Sequence, residues 1–135
     1  MSRYDRQTRF HPFGEDGQHQ LSTSQILVFG AGALGSHIID QLARMGANHL
    51  TVIDMDIVET SNLHRQTLYD EEDAYHLVSK VEAVKNKVSQ TNSEVTLTAY
   101  DVEVTSSNIE DIVSEINPDI FIDAMEKYKV IILII

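Results

Sequence analysis

Gly30, Gly32 and Gly35 stand together in Gly30-Ala31-Gly32-Ala33-Leu34-Gly35, where an apolar run gives way to a helical pattern. A turn of that kind binds phosphate. The first glycine allows the tight turn, the second lets backbone approach the ligand, and the third lets helix and strand pack closely. Amides at the helix start, Ala33 included, then face the anion. Asp54 closes the next apolar segment about 20 residues on, where a carboxylate can accept hydrogen bonds from ribose hydroxyls. The same turn also occurs as a bare strand-to-helix connection, but its setting and the acid favour a bound nucleotide. Neither feature chooses between a triphosphate and NAD. A triphosphate calls for cations and a magnesium-holding carboxylate near the turn, and a dinucleotide does not.

An alternating series of elements must position these groups. Gln25–Phe29, a short continuous apolar run ended by Gly30, predicts a strand buried on both faces. From Ala33 to Met45, Leu34, Ile38, Leu42 and Met45 recur at helical spacing and predict a helix buried on that stripe, stopping near Gly46. His49–Asp54 predicts a second strand. Glu59–Asp73 reads as loop with room for one turn of helix. Val78, Val81, Val84 and Val88 mark another helix whose Lys80, Lys85 and Lys87 mostly point away from the stripe, and Glu94–Asp101 alternates as a third strand. Ser107 or Asn108 caps a helix carrying Ile109, Ile112, Val113 and Ile116, which Asn117-Pro118 ends before a fourth strand at Asp119–Asp123. This order predicts an α/β, Rossmann-like three-layer fold with a mainly parallel sheet. Residues 1–24 are expected as an N-terminal arm or short helix, 25–127 as the nucleotide-binding domain and 128–135 as a hydrophobic tail.

A length of 135 residues suits one core. Ten Lys plus Arg against 21 Asp plus Glu leave a formal charge of -11, which repels phosphate backbones and anionic lipid. Neither nucleic acid nor membrane is an expected partner. The absence of cysteine removes disulfides, thiolate zinc sites and cysteine nucleophiles. Arg3, Asp5, Arg6 and Arg9 break up any signal-like stretch, and Val130–Ile135 is far short of the roughly 20 apolar residues of a membrane span, so a cytoplasmic location is expected. His11, His19, His37, His49, His64 and His76 show no ligand-like grouping.

The stretch Asp54-Met55-Asp56-Ile57-Val58-Glu59-Thr60-Ser61-Asn62-Leu63-His64-Arg65-Gln66 resembles the D-x-D-x-V-x-x-S-N-L-x-R-Q signature of the ThiF/MoeB/HesA group, relatives of the ubiquitin-activating enzymes. Arg3-Tyr4-Asp5-Arg6-Gln7 matches the group's R-Y-x-R-Q opening, and Gly14-Glu15-Asp16-Gly17-Gln18 its G-x-x-G-Q segment. The resemblance implies that Asp54 holds the ribose and that Asp56 and Gln66 belong to the same site. It implies that Asn62 and Arg65 contact the phosphates and that Lys80 is the phosphate-binding lysine. It also implies a homodimer in which Arg6 reaches the neighbouring subunit's nucleotide as an arginine finger. Arg6, Arg65 and Lys80 are thus the catalytic candidates. Taken singly, Arg65 or Lys80 reads equally well as a solvated charge, Asp56 as a cap and Asn62 as a loop stabiliser.

The implied reaction is ATP-dependent adenylation. The C-terminal glycine carboxylate of a ubiquitin-like (β-grasp) sulfur-carrier protein attacks the α-phosphate of ATP with Mg2+ bound, for molybdopterin or thiamine synthesis. An NAD-binding oxidoreductase domain and a non-catalytic dimeric scaffold are the alternatives. The chain departs from the family pattern in three places. Gly32-Ala33 stands for the second glycine pair of G-x-G-G-L-G. Asp123-Ala124-Met125-Glu126-Lys127 stands for D-x-x-D-N, which makes Glu126 the candidate magnesium ligand. Family members also run on for roughly another hundred residues, so early termination and impaired activity are expected.

Overall fold

A computed structural model describes residues 1–125. Helices α1 (Asp5–Thr8) and α2 (Gly14–Thr23) precede strand β1 (Gln25–Phe29), helix α3 (Ala33–Met45) and strand β2 (His49–Ile53). A 3-10 turn at Thr60–Asn62 and helix α4 (Glu71–Tyr75) follow, then helix α5 (Lys80–Thr91), strand β3 (Thr96–Tyr100), helix α6 (Ile109–Ile116) and strand β4 (Ile120–Asp123). All four strands run parallel in the order β3-β2-β1-β4. Parallel pairing in register puts alternate residues on common faces. Ile26, Val28, Leu50, Val52 and Leu97 share one core with Ile39 and Ala43 of α3 and Val81, Val84 and Val88 of α5. Leu27, Phe29 and Ile53 share the other with Ile109 of α6, and Phe29 stacks on Phe121 with ring centroids 4.5 Å apart. Two cores on opposite faces of one sheet make the three layers expected. Among the described residues no helix is long and apolar enough to cross a membrane.

Several local readings are corrected. The buried face of α3 is Gly35, Ser36, Ile39 and Ala43, while Leu34 is 59% exposed and Met45 38%. Helix and strand approach so closely that only small side chains fit at the start of α3, so the large residues sit to the side. The strands are shorter than their apolar patterns, with β2 stopping before Asp54 and β3 covering Thr96–Tyr100. Val78 lies before α5, whose cap is Ser79, the Oγ accepting the Glu82 N–H at 3.3 Å. Asn108 occupies the cap position of α6, yet its side chain turns back to the Thr105 N–H and the Glu103 carbonyl, both at 2.8 Å. Helix α4 lies mostly in the stretch read as loop, started by the reciprocal caps of Asp70 and Asp73.

Of the arm or short helix expected for the N-terminal segment, the structure shows two packed helices. Gln7 and Gln18 both donate to the Met45 carbonyl, at 2.7 and 2.9 Å. The Tyr4 hydroxyl accepts from Asn92 at 2.9 Å and donates to Glu94 at 3.1 Å, while Arg3 pairs with Glu94 at 3.4 Å. Gly46 ends α3 at φ +92, and a Cβ there would meet Gln18 Nε2 at 2.6 Å and Tyr4 at 2.7 Å. Both N-terminal motifs therefore clamp the C-terminal end of α3. The tail at 128–135 and Glu126 lie outside the described residues.

Candidate active site

The carboxyl ends of the strands open on a cleft of about 480 Å³. It lies where the chain leaves β1 for β2 on one side and β4 returns on the other, the switch point at which parallel α/β sheets bind ligands. The three glycines divide the work there. Gly30 needs its left-handed φ of +93, and a Cβ would sit 2.9 Å from the Ala124 carbonyl oxygen. Gly35 is where helix meets strand. Gly32 faces open space, with Gln66 Nε2 the nearest atom to a Cβ there, at 3.8 Å. An open, Cβ-free position at a helix start is a cradle for an anion.

Asp54 does more than the sequence indicated. Its Oδ2 accepts the Ala31 N–H and its Oδ1 the Asp56 N–H, both at 2.8 Å, so one carboxylate ties the glycine turn to the following loop. That loop then pairs with the start of α5. The Val58 N–H donates to the Val78 carbonyl at 2.8 Å and the Lys80 N–H to the Asp56 carbonyl at 2.9 Å. The pairing carries Lys80 into the cleft, correcting the outward direction read for it. Its side chain is only 7% exposed and its Nζ lies 3.6 Å from Asp56 Oδ2, which is 60% exposed. A cation stripped of water with one long ion pair is a strong attractor for further negative charge.

Asn62 is buried, and its Oδ1 accepts the Glu59 N–H at 2.9 Å, so it fixes the 3-10 turn as well as lining the cleft. Arg65 is exposed and spends one Nη1 bond on the Ser61 carbonyl, at 2.8 Å. Gln66 is buried, and its Oε1 has no partner among the described residues. Leu34, Met55, Val102, Val104 and Met125 supply an apolar wall. The cleft thus gathers Gly30, Gly32, Ala33, Asp54, Asp56, Asn62, Arg65, Gln66 and Lys80, with Gly35 packed behind.

Arg6 stands apart. It is exposed on α1, next to the Gln7 that bonds Met45, whereas the cleft is at the other end of α3. Thirteen residues of helix separate the ends, roughly 20 Å at about 1.5 Å per residue, beyond its reach in the same chain. Sequence reasoning missed Tyr69, which is buried and donates its hydroxyl to the Ala31 carbonyl at 2.5 Å. Burial first, then the charge of Asp54, pushes its pKa above the ordinary tyrosine range. Its place just past the Ser61–Gln66 stretch was the available signal. Among the described residues no three His, Asp or Glu side chains gather as ligands for a metal ion.

A family model described as the ThiF family matches residues 4–135. The chain belongs to the ThiF family. Among its ThiF relatives, the sulfur carrier protein ThiS adenylyltransferase of Bacillus subtilis is 35% identical over 127 residues, covering 94% of this chain and 37% of that protein. The sulfur carrier protein adenylyltransferase of Thermus thermophilus is 34% identical over 128 residues, covering 95% of this chain and 46% of that protein. The chain therefore spans less than half the length of these relatives. E. coli tRNA N6-threonylcarbamoyladenosine dehydratase, TcdA, solved in complex with ATP, superposes with a TM-score of 0.85 at 30% identity, over 93% of this chain and 49% of that one. This ThiF chain thus carries a Rossmann-like sheet similar to that of a protein solved with ATP.

Proposed function

We propose that this chain is the nucleotide-binding part of an ATP-dependent adenylyltransferase that activates the C-terminal glycine of a ubiquitin-like sulfur-carrier protein, of the type serving molybdopterin or thiamine synthesis. The observation that carries the reading is the buried Lys80 beside the open face of Gly32 in one cleft. A fixed cation next to helix-start amides complements polyphosphate, and the negative charge that grows as pyrophosphate leaves strengthens both contacts. Asn62 and Arg65 add donors on the same side, and the apolar wall of Met55, Val102 and Val104 suits a base. Each Asp54 oxygen accepts one backbone N–H, from Ala31 or Asp56, which holds the carboxylate still and leaves each oxygen a lone pair for a ribose hydroxyl. No nucleophile from the protein is required. The carrier carboxylate attacks the α-phosphate in line, the bond to pyrophosphate breaks, and the protein contributes positioning and charge.

Magnesium is expected to accompany the phosphates, and no step is assigned to it. Arg6, out of reach of its own cleft, is offered to that of a second copy, which makes a homodimer part of this reading. NAD is disfavoured because its diphosphate bridge calls for less positive charge than Lys80 and Arg65 together bring to the cleft.

The test is ATP–pyrophosphate exchange with a carrier ending in glycine, beside titrations with ATP and NAD. Preference for ATP is expected, with carrier-dependent exchange at the reduced rate that impaired activity implies. Preference for NAD, or ATP binding without exchange, would replace this reading with the oxidoreductase or the scaffold.

A further inference from the structure

Ala31 is held at both ends of its own backbone. Its N–H goes to Asp54 Oδ2 at 2.8 Å and its carbonyl receives the Tyr69 hydroxyl at 2.5 Å. A trans peptide sets its C=O and the following N–H on opposite sides of the chain, and no cis bond occurs among the described residues. Drawing the Ala31 carbonyl inward to the buried Tyr69 therefore turns the Gly32 N–H outward. That amide has no acceptor of its own among the described residues, and a Cβ on Gly32 would meet nothing nearer than Gln66 Nε2 at 3.8 Å. Meanwhile the Gly32 carbonyl is engaged in the first turn of α3, accepting from the Ser36 N–H at 2.9 Å. One N–H is left without an acceptor, on a residue that lines the cleft.

We infer that Tyr69 is a positioning residue, whose hydroxyl orients the Ala31–Gly32 peptide so that the Gly32 amide is presented to a phosphate oxygen. The role rests on the nucleotide reading above and deepens it by naming what aims the cradle. A carbonyl can only accept, so the hydroxyl must keep its proton, and burial together with Asp54 ensures that it does. Phenylalanine would fill the same space without the donor. The peptide would then be free to turn its carbonyl toward the cleft, where it would repel phosphate.

The full chain and its Tyr69→Phe variant are titrated with ATP, inorganic tripolyphosphate and adenosine. The variant is expected to bind ATP and tripolyphosphate about five- to tenfold more weakly, with adenosine affinity unchanged. A purely structural role would weaken all three together or none, so an unchanged ratio of ATP to adenosine affinity overturns the inference. Should the variant fail to fold, the unmodified protein decides. Its Gly32 amide resonance moves on saturation with tripolyphosphate and stays in place with adenosine, and a stationary Gly32 amide overturns the assignment. If the unmodified chain binds neither ATP nor tripolyphosphate, the nucleotide reading falls and this inference with it. Normal binding with an indifferent Tyr69→Phe removes the inference alone.

Discussion

A first side-chain carbon on Gly35 would lie 1.8 Å from the carbonyl oxygen of Gly30. No rotamer change relieves that contact, because the obstacle is backbone. The start of α3 and the end of β1 thus touch directly behind the cleft. Gly35→Ala should cost about 3 kcal/mol or more of stability. Gly32→Ala, with its neighbour at 3.8 Å, should unfold within about 1 kcal/mol of the parent yet bind ATP less well, since its methyl enters the cradle. Urea unfolding of both variants, with ATP titration of the second, checks the contrast.

Lys80 and Asp56 differ in burial, so removing either should not be equivalent. Lys80→Met takes a dehydrated charge out of the interior and leaves a solvated carboxylate, so stability holds or rises while affinity for ATP falls about tenfold or more. Asp56→Asn leaves the buried ammonium with a weaker partner and should lower stability, on the order of 1 kcal/mol. Equal urea midpoints for the two variants would contradict the asymmetry.

Leu77 adopts φ +52 with 63% of its surface exposed. A branched side chain in that left-handed region is strained, and little burial compensates. Leu77→Gly should raise stability by about 0.5–1 kcal/mol, visible as a higher thermal midpoint with nucleotide affinity unchanged.

Asp73 carries a pKa raised above its ordinary value of 3.8, first by burial and also by the charge of Asp70. A raised folded pKa means that the native state favours the protonated form. Its contribution to stability is therefore complete below about 3.8 and is lost as pH climbs through the folded value. Asp73→Asn keeps an acceptor for the Asp70 N–H and removes the charge. Its thermal midpoint should exceed the parent's near neutrality, and the gain should shrink toward pH 4. A gain that grows on acidification would reverse the sign.

The sheet was legible because strands buried on both faces read as apolar runs: Ile26–Phe29 is unbroken, and only Thr51 interrupts Leu50–Ile53. The face of α3 was misread because close helix packing selects Gly35, Ser36 and Ala43, residues that carry no hydrophobic signal. The polar residues of the cleft were legible through Asp54–Gln66 and Lys80, since their residue set is unusual for a loop. What hid Tyr69 is that its function is one hydrogen bond to main chain. Side-chain patterns do not reveal a carbonyl's direction. The clamp of Gln7 and Gln18 was invisible for the same reason, because its target is the Met45 carbonyl.

Helix α3 has the proposed phosphate cradle at one end and, at the other, the carbonyl that anchors the N-terminal helices. A rod fastened at both ends transmits displacement along its axis. Were two copies to exchange Arg6, the filling of one cleft would shift the arginine lent to the other, and neither pocket would respond to its nucleotide independently.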